Sequence, residues 1–464
     1  MSLPSMPVAA VTSVSAETRL TYVLQHFWLA YGPVSELRIG HLGSAADIEM
    51  ADGTGGFFEA ASPYPGPPTY RDWRGAKLPF FFDPTPEAEL LQLLPGRAII
   101  GPDLISAAFY LLSGWQEYFS VERDRHGRFP YAASVQQRYG FVTVPVVNYY
   151  FDILRAAVEH VTGQPLRPRR WASGSPFAVF VTHDIDELRS GWKAPAKAAL
   201  KSGRIDRFLA LATRRFLHRD AWDNLELVRQ AAAKYGAVST FFLLPNHRPG
   251  PGGTPNADYN IRREWPKLAR AIGSAEVGLH ASLGTARHGG QLKEEEHRLQ
   301  SLRKGQKAYG IRFHYLQWEP RITPTILDSL GYDYDSTLGF AEHFGFRHSY
   351  CLPFYPFNFD QNRSSRFLEI PLNVMDATLH HPLYLQLGPD DILPALQPML
   401  REIERFGGVC TLLWHNDHFD PANTVTGPVQ FHGIMEYLRS RGAAFVTGHA
   451  IVAAMKQPAP NTGN

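Results

Sequence analysis

Cysteine is almost absent from this chain: Cys351 and Cys410 are the only two among 464 residues. Two thiols are too few for a disulfide framework, so stability must come from a packed core, and a reducing compartment is the natural setting. Long apolar runs are missing as well, since no stretch approaches the roughly 18 uninterrupted apolar residues of a membrane span. Met1-Ser2-Leu3-Pro4-Ser5 carries no Lys or Arg ahead of a short apolar patch at 7–11, which fails the test for a secretory signal. A cytoplasmic protein is the expectation. Neither sign of charge dominates: 46 Lys and Arg stand against 44 Asp and Glu. The formal charge of +2, without a long basic stripe, argues against nucleic acid as a partner.

What is present suits large cores. Hydrophobic residues make up 44% and charged residues 19%, a balance that excludes wholesale disorder. The length favours two domains. Aromatics reach 12%, enough for sugar-stacking surfaces but assigned mainly to the core. A Pro, Gly, Ser and Arg-rich stretch at 163–176 reads as a linker. It divides a smaller mixed α/β domain at 1–165 from a second domain at 176–456. In the first, apolar spacing predicts helices over 103–119 and 144–161. Residues 31–100, rich in Gly, Pro and aromatics, suggest no chemistry.

Beyond the linker, strand and helix patterns alternate. Phe177–Val181 reads as a strand buried on both faces. Further strands are expected at Ala237–Leu244, before His280, His314, Asp335, Leu372 and His415, and at Ala443–Val446. Helices fall at 222–235, 263–272, 292–309, 323–330, 391–406 and 429–441. Seven or eight parallel strands with crossover helices imply a (β/α) barrel. The strand ends carry polar groups: Asp184 and Asp186, His280, Arg312 and His314, Asp335, and His415. In a barrel those ends share one rim, where active sites lie. Asp184 and Asp186, spaced i, i+2, point the same way, and two adjacent like charges need a cation or a shared proton.

Taken in order, these motifs resemble the polysaccharide deacetylase family of carbohydrate esterases. Thr182-His183-Asp184-Ile185-Asp186 is similar to the variant form of its first motif, and Glu276-Val277-Gly278-Leu279-His280 to its metal-histidine strand. Arg312-Phe313-His314-Tyr315 approximates its arginine motif, Gly331–Thr337 its Tyr-Asp-Ser strand, and Thr411-Leu412-Leu413-Trp414-His415 its last motif. The resemblance covers about 177–455, and Ala107–Gln137 is similar to a companion region found ahead of some members. It implies Asp184 as general base, Asp186 and His280 as metal ligands, and Arg312 as the partner of the base. It further implies the Tyr315 backbone N–H facing the oxyanion and His415 as general acid. Zn²⁺ suits such a His/Asp site, with Fe, Co or Mn as alternatives.

Three positions depart from the family pattern. Gly284 stands where a second metal histidine belongs, His183 replaces an aromatic, and His314 replaces a proline. His314, His288 and Ser282 are therefore the candidates for a third ligand, with water alone as a further alternative. The implied activity is hydrolysis of an acetamido C–N bond in an N-acetylated sugar or glycan. An inactive barrel that binds a glycan or a partner protein is the alternative. A third reading takes His183-Asp184 as the dipeptide of metal-dependent phosphohydrolases.

Overall fold

The computed structural model describes residues 13–217 and 219–457. The stretch at 1–11 read above for a leader lies outside them. In chain order the first strands are β1 (Ile39–His41), β2 (Ile48–Met50), β3 (Thr69–Trp73), β4 (Ala76–Phe80), β5 (Leu91–Leu94) and β6 (Arg97–Ile100). They form a sheet of order β1-β2-β6-β5 and the separate hairpin β3-β4. Next come β7 (Ala178–Ile185), β8 (Thr240–Leu243), β9 (Glu276–Ala281), β10 (Gly310–Phe313) and β11 (Tyr334–Asp335). The last are β12 (Phe357–Asn358), β13 (Arg363–Ser364), β14 (Leu368–Glu369), β15 (Val374–Met375), β16 (Val409–Leu413) and β17 (Ala444–Phe445).

Eight strands make one parallel path, β14-β11-β10-β9-β8-β7-β16-β15, and β17 pairs with β7 beside it. All eight residues of β7 are buried, as a central strand covered on both faces requires. This is the expected distorted (β/α) barrel, open at one seam: among the described residues no ladder joins β14 to β15. The strand expected to end at Leu372 is instead these two short strands. Only Ile370–Asn373 separates them, too short for the crossover that adjacent parallel strands need. Phe180, Phe242 and Tyr334 fill the interior together with Leu368 and Ile370. Gly310 makes room for them, because a Cβ there would lie 1.9 Å from the Tyr334 ring.

The N-terminal region and the barrel share one continuous apolar cluster. Tyr118 stacks on Phe359 at 4.2 Å, and Phe109 and Tyr22 meet Phe357 edge-on. Polar ties cross the same boundary. Glu117 and Arg347 form a buried two-pronged ion pair, and the Val147 N–H donates to Ser349 O. Within the Pro- and Arg-rich stretch at 163–176, Leu166, Arg169 and Trp171 are buried and anchor the segment. Arg169 is 3% exposed and donates to the carbonyls of Leu29, Ala454 and Gln457; the Trp171 indole donates to Gly407 O. A buried guanidinium without acceptors would be costly, so these contacts hold the segment down. The helix expected over 103–119 is two, Leu104–Leu112 and Trp115–Phe119. Gly114 separates them at φ +72°, with the His348 ring 2.8 Å from where a Cβ would stand.

Candidate metal and catalytic site

Alternation along β7 sorts its end residues. Thr182 and Asp184 turn toward Arg312, whose Nη1 donates to Thr182 Oγ1 at 2.8 Å and to Asp184 Oδ1 at 2.9 Å. His183 takes the opposite face. Its Nδ1–H donates to Trp414 O at 2.6 Å, and its Nε2 accepts from Ser239 Oγ at 3.0 Å. Burial pushes this imidazole down to about 4, so it is a neutral core residue. His183 and Asp184 therefore cannot act as one ligand unit, and the phosphohydrolase reading fails on strand geometry.

Arg312 is fully buried at the end of β10. Besides the two contacts above it donates to Ser336 O and Ser336 Oγ, and its guanidinium lies over the Phe242 ring. Four of its five N–H groups are thus committed, which fixes the Asp184 carboxylate in one orientation. Asp335, at the end of β11, does not enter the site. It accepts from the Thr337 hydroxyl beneath the rim.

His280 shows most directly what the site wants. Its Nδ1–H donates to Arg312 O at 2.9 Å, which leaves Nε2 facing inward. There it lies 3.2 Å from Asp186 Oδ1 and 3.6 Å from Asp184 Oδ2. A lone pair aimed at two carboxylates is tolerable only with a proton or a cation between them. Burial opposes the charged ring, yet Asp184 and Asp186 hold its pKa above the ordinary value. His314 Nε2 reaches Asp186 Oδ2 at 3.5 Å, while its Nδ1 lies 3.3 Å from Asn256 Oδ1. Asp186, His280 and His314 each offer a ligand atom, all within 4.8 Å of one another. Asp186 Oδ1 is buried without a well-formed hydrogen bond, as a ligand oxygen would be. An Asp/His/His set of this kind fits a divalent cation.

Of the three candidates for a third ligand, only His314 lies beside Asp186 and His280. Ser282 gives its hydroxyl to Glu295, and His288 is exposed at the start of the helix Gly289–Leu302. Gly284 sits at φ +101°, a conformation that residues with a Cβ rarely adopt. A histidine there would be strained.

His415 follows β16. Its Nδ1–H donates to Asp376 Oδ1 at 2.8 Å, and its Nε2 faces Asp186 Oδ2 at 3.8 Å. Burial works against the imidazolium, but Asp376, with Asp186 and Asp184 behind it, holds the pKa well above the ordinary value. Asp376 is fully buried; despite that burial, His415 and His418 keep its carboxyl far below the usual range. Sequence reasoning missed Asp376. The available signal was a carboxylate directly after the apolar pair Val374-Met375, on a strand too short to recognise.

Tyr315 and Leu316 both have positive φ, 59° and 55°. Two consecutive non-glycine residues in the left-handed region store strain that their surroundings must sustain. The N-terminal region supplies part of that support. Arg128 Nη1 donates to Tyr315 O at 3.1 Å, and the Tyr315 ring is flanked by His126 and His314 at 4.6 and 4.1 Å. Asp186, Glu187, His314, Tyr315, His415 and Asp417 line a cavity of about 220 Å³. A larger groove of about 670 Å³ lies beyond Asn256, which borders both. The larger one contains none of the triad, whereas the smaller one is lined by Asp186 and His314.

Residues 47–163 match the model of a family of unknown function, DUF7033. No curated protein matches the chain. Among solved structures it is similar to a protein from Mycobacterium smegmatis described as a polysaccharide deacetylase, at 15% identity and TM-score 0.42. That match covers 64% of this chain and 97% of the other. It is also similar to PuuE allantoinase, at 13% identity and TM-score 0.41, over 61% of this chain and 91% of that one. A third is BA3943 from Bacillus anthracis, a CE4 family pseudoenzyme, at 11% identity and TM-score 0.31, covering 59% and 65%.

Proposed function

We propose that this chain is a metal-dependent hydrolase that removes the acetyl group from an N-acetylated sugar or glycan. The observation that carries the reading is the division of labour between the two carboxylates. Asp184 is locked to Arg312, whereas Asp186 faces two histidines, with the Asp376-backed His415 across the same cavity.

Asp186, His280 and His314 would hold the ion, Zn²⁺ in the first instance, with Fe, Co or Mn able to replace it. When bound, such an ion supplies Lewis acidity toward the acetyl carbonyl and acidifies water. Asp184 takes the proton of the attacking water through Oδ2, the oxygen that Arg312 Nη1 leaves free. The Tyr315 N–H serves the developing oxyanion. His415 carries on Nε2 the proton that the departing amine needs, and Asp376 keeps that ring oriented and charged. Residues 1–165 act as a companion unit that braces the Tyr315 corner through Arg128 and His126.

Metal analysis of the purified protein, combined with acetate release from N-acetylated sugars, tests this. Stoichiometric divalent metal and acetate release that both disappear in the Asp186→Asn variant are expected. Tight metal with no hydrolysis of any acetylated sugar would instead favour a binding module on the same scaffold.

A further inference from the structure

The near-neutral total of +2 conceals a local excess. Residues 193–219 contain eight Lys or Arg and a single acid, Asp206. They fold as a hairpin of two helices, Lys193–Lys201 and Ile205–Leu217, that pack chiefly on each other. Ala196 and Ala199 are buried within it. The outer side also exposes large aliphatic groups: Leu200 is 55% exposed, Ile205 62% and Leu209 55%. Ile205 and Leu209 are one turn apart on the same helix face, and Lys197, Lys201, Arg204 and Arg207 are exposed on the same hairpin. A core helix would bury such leucines; a solvated one would not carry them together.

The hairpin rises beside the candidate site. Gly191 and Trp222 donate their N–H groups to Asp220 Oδ1, which closes its base. Asn416, the neighbour of His415, ties both of its roots to the rim by donating to Glu187 O and Trp222 O. Exposed aliphatic side chains flanked by Lys and Arg are what an anionic lipid surface selects: the apolar groups enter the headgroup boundary and the cations meet lipid phosphates and carboxylates. None of the described helices is long and apolar enough to cross a membrane, so the contact would be peripheral.

We propose that the hairpin 193–217 docks this protein on an anionic membrane surface, with the mouth of the candidate site beside the lipid headgroups. The docking stands independently of the proposed hydrolysis; if both hold, the acetylated sugar is one presented at a membrane, such as a lipid-linked glycan. The test is flotation of the full chain with vesicles of phosphatidylcholine alone or with about one third phosphatidylserine. Binding is expected to the anionic vesicles only and to weaken as salt rises. Lys197→Gln/Lys201→Gln/Arg204→Gln should weaken it by about a hundredfold, since each cation near such a surface counts for roughly fivefold. Leu200→Ser/Ile205→Ser/Leu209→Ser should abolish it while leaving the thermal midpoint and metal content unchanged.

Equal recovery with both vesicle types would overturn the proposal. So would undiminished binding by the serine variant, which would mark a polyanion site such as one for nucleic acid. Sedimentation without vesicles covers the remaining occupant. A dimer that dissociates in the serine variant would assign the face to a second copy of this chain and likewise overturn membrane docking.

Discussion

Glu117→Gln cuts the most deeply buried ionic tie between the N-terminal region and the barrel. Arg347 grips Glu117 with two prongs, at 2.7 and 2.6 Å, and the two side chains are only 1% and 2% exposed. Although burial raises a carboxyl's pKa, Arg347 holds that of Glu117 below its ordinary value. Removing the charge leaves the buried guanidinium with a neutral amide oxygen at position 117 and Gly339 O as acceptors, and sets an amide NH2 donor against its second prong. Breaking such a pair costs about 3–5 kcal/mol. Unfolding entropy near the midpoint is about 2.1 cal/mol/K per residue, or roughly 1 kcal/mol/K for a chain of 464 residues. Calorimetry should therefore show a drop of about 3–5 °C if the chain melts as one body. If residues 1–165 melt alone, about 0.35 kcal/mol/K applies, and their transition should fall by roughly 9–14 °C. Because the desolvation penalty applies to both charges, the double variant Glu117→Leu/Arg347→Met should recover most of the loss. A single-variant cost under about 1 kcal/mol, or a double variant worse than either single, would refute the reasoning.

Three further outcomes follow from the site and the core. Asp184→Asn should retain metal and lose turnover, whereas Asp186→Asn, His280→Ala and His314→Ala should lose both; metal loss in Asp184→Asn with retention in Asp186→Asn would reverse the two carboxylates. Asp376→Asn should lower kcat by about 10²-fold. It should also move the alkaline limb of the pH profile to lower pH, because His415 loses the charge that keeps it protonated. An unmoved limb would remove Asp376 from that role. His26 is fully buried, takes the Tyr355 N–H on Nε2 and faces Tyr22 O with Nδ1, and burial lowers its pKa to about 4. The unfolded chain therefore binds this proton first, so stability is full above about pH 6.5 and falls as pH drops toward 4, by about 2 kcal/mol at pH 5. Urea midpoints of the wild type and His26→Gln across pH 5–7.5 check this. The variant should have a flatter slope, and parallel slopes would contradict it.

How far residue patterns alone carry the argument depends on whether the signal is local. Period-2 alternation in β7 put Asp184 and Asp186 on one side before any contact was known, and the alternating strand and helix pattern placed His280, Arg312 and His415 on one rim. Those inferences need only neighbours in the chain. Tertiary structure decided what depends on partners far away. His314 came to lie beside Asp186 and His280 because β9 and β10 are neighbours, with Arg312 in register with His280, while φ +101° at Gly284 disfavours a histidine there. His183 next to Asp184 gave a His-Asp dipeptide, and its buried contacts with Trp414 O and Ser239 on the opposite face take it out of the site. Asp376 stayed hidden because its strand has two residues, too few for a period to register. The apparent linker at 163–176 was composition without burial: Pro, Gly and Ser favour turns locally, but only the distant carbonyls that receive Arg169 decide whether the turn is free or docked.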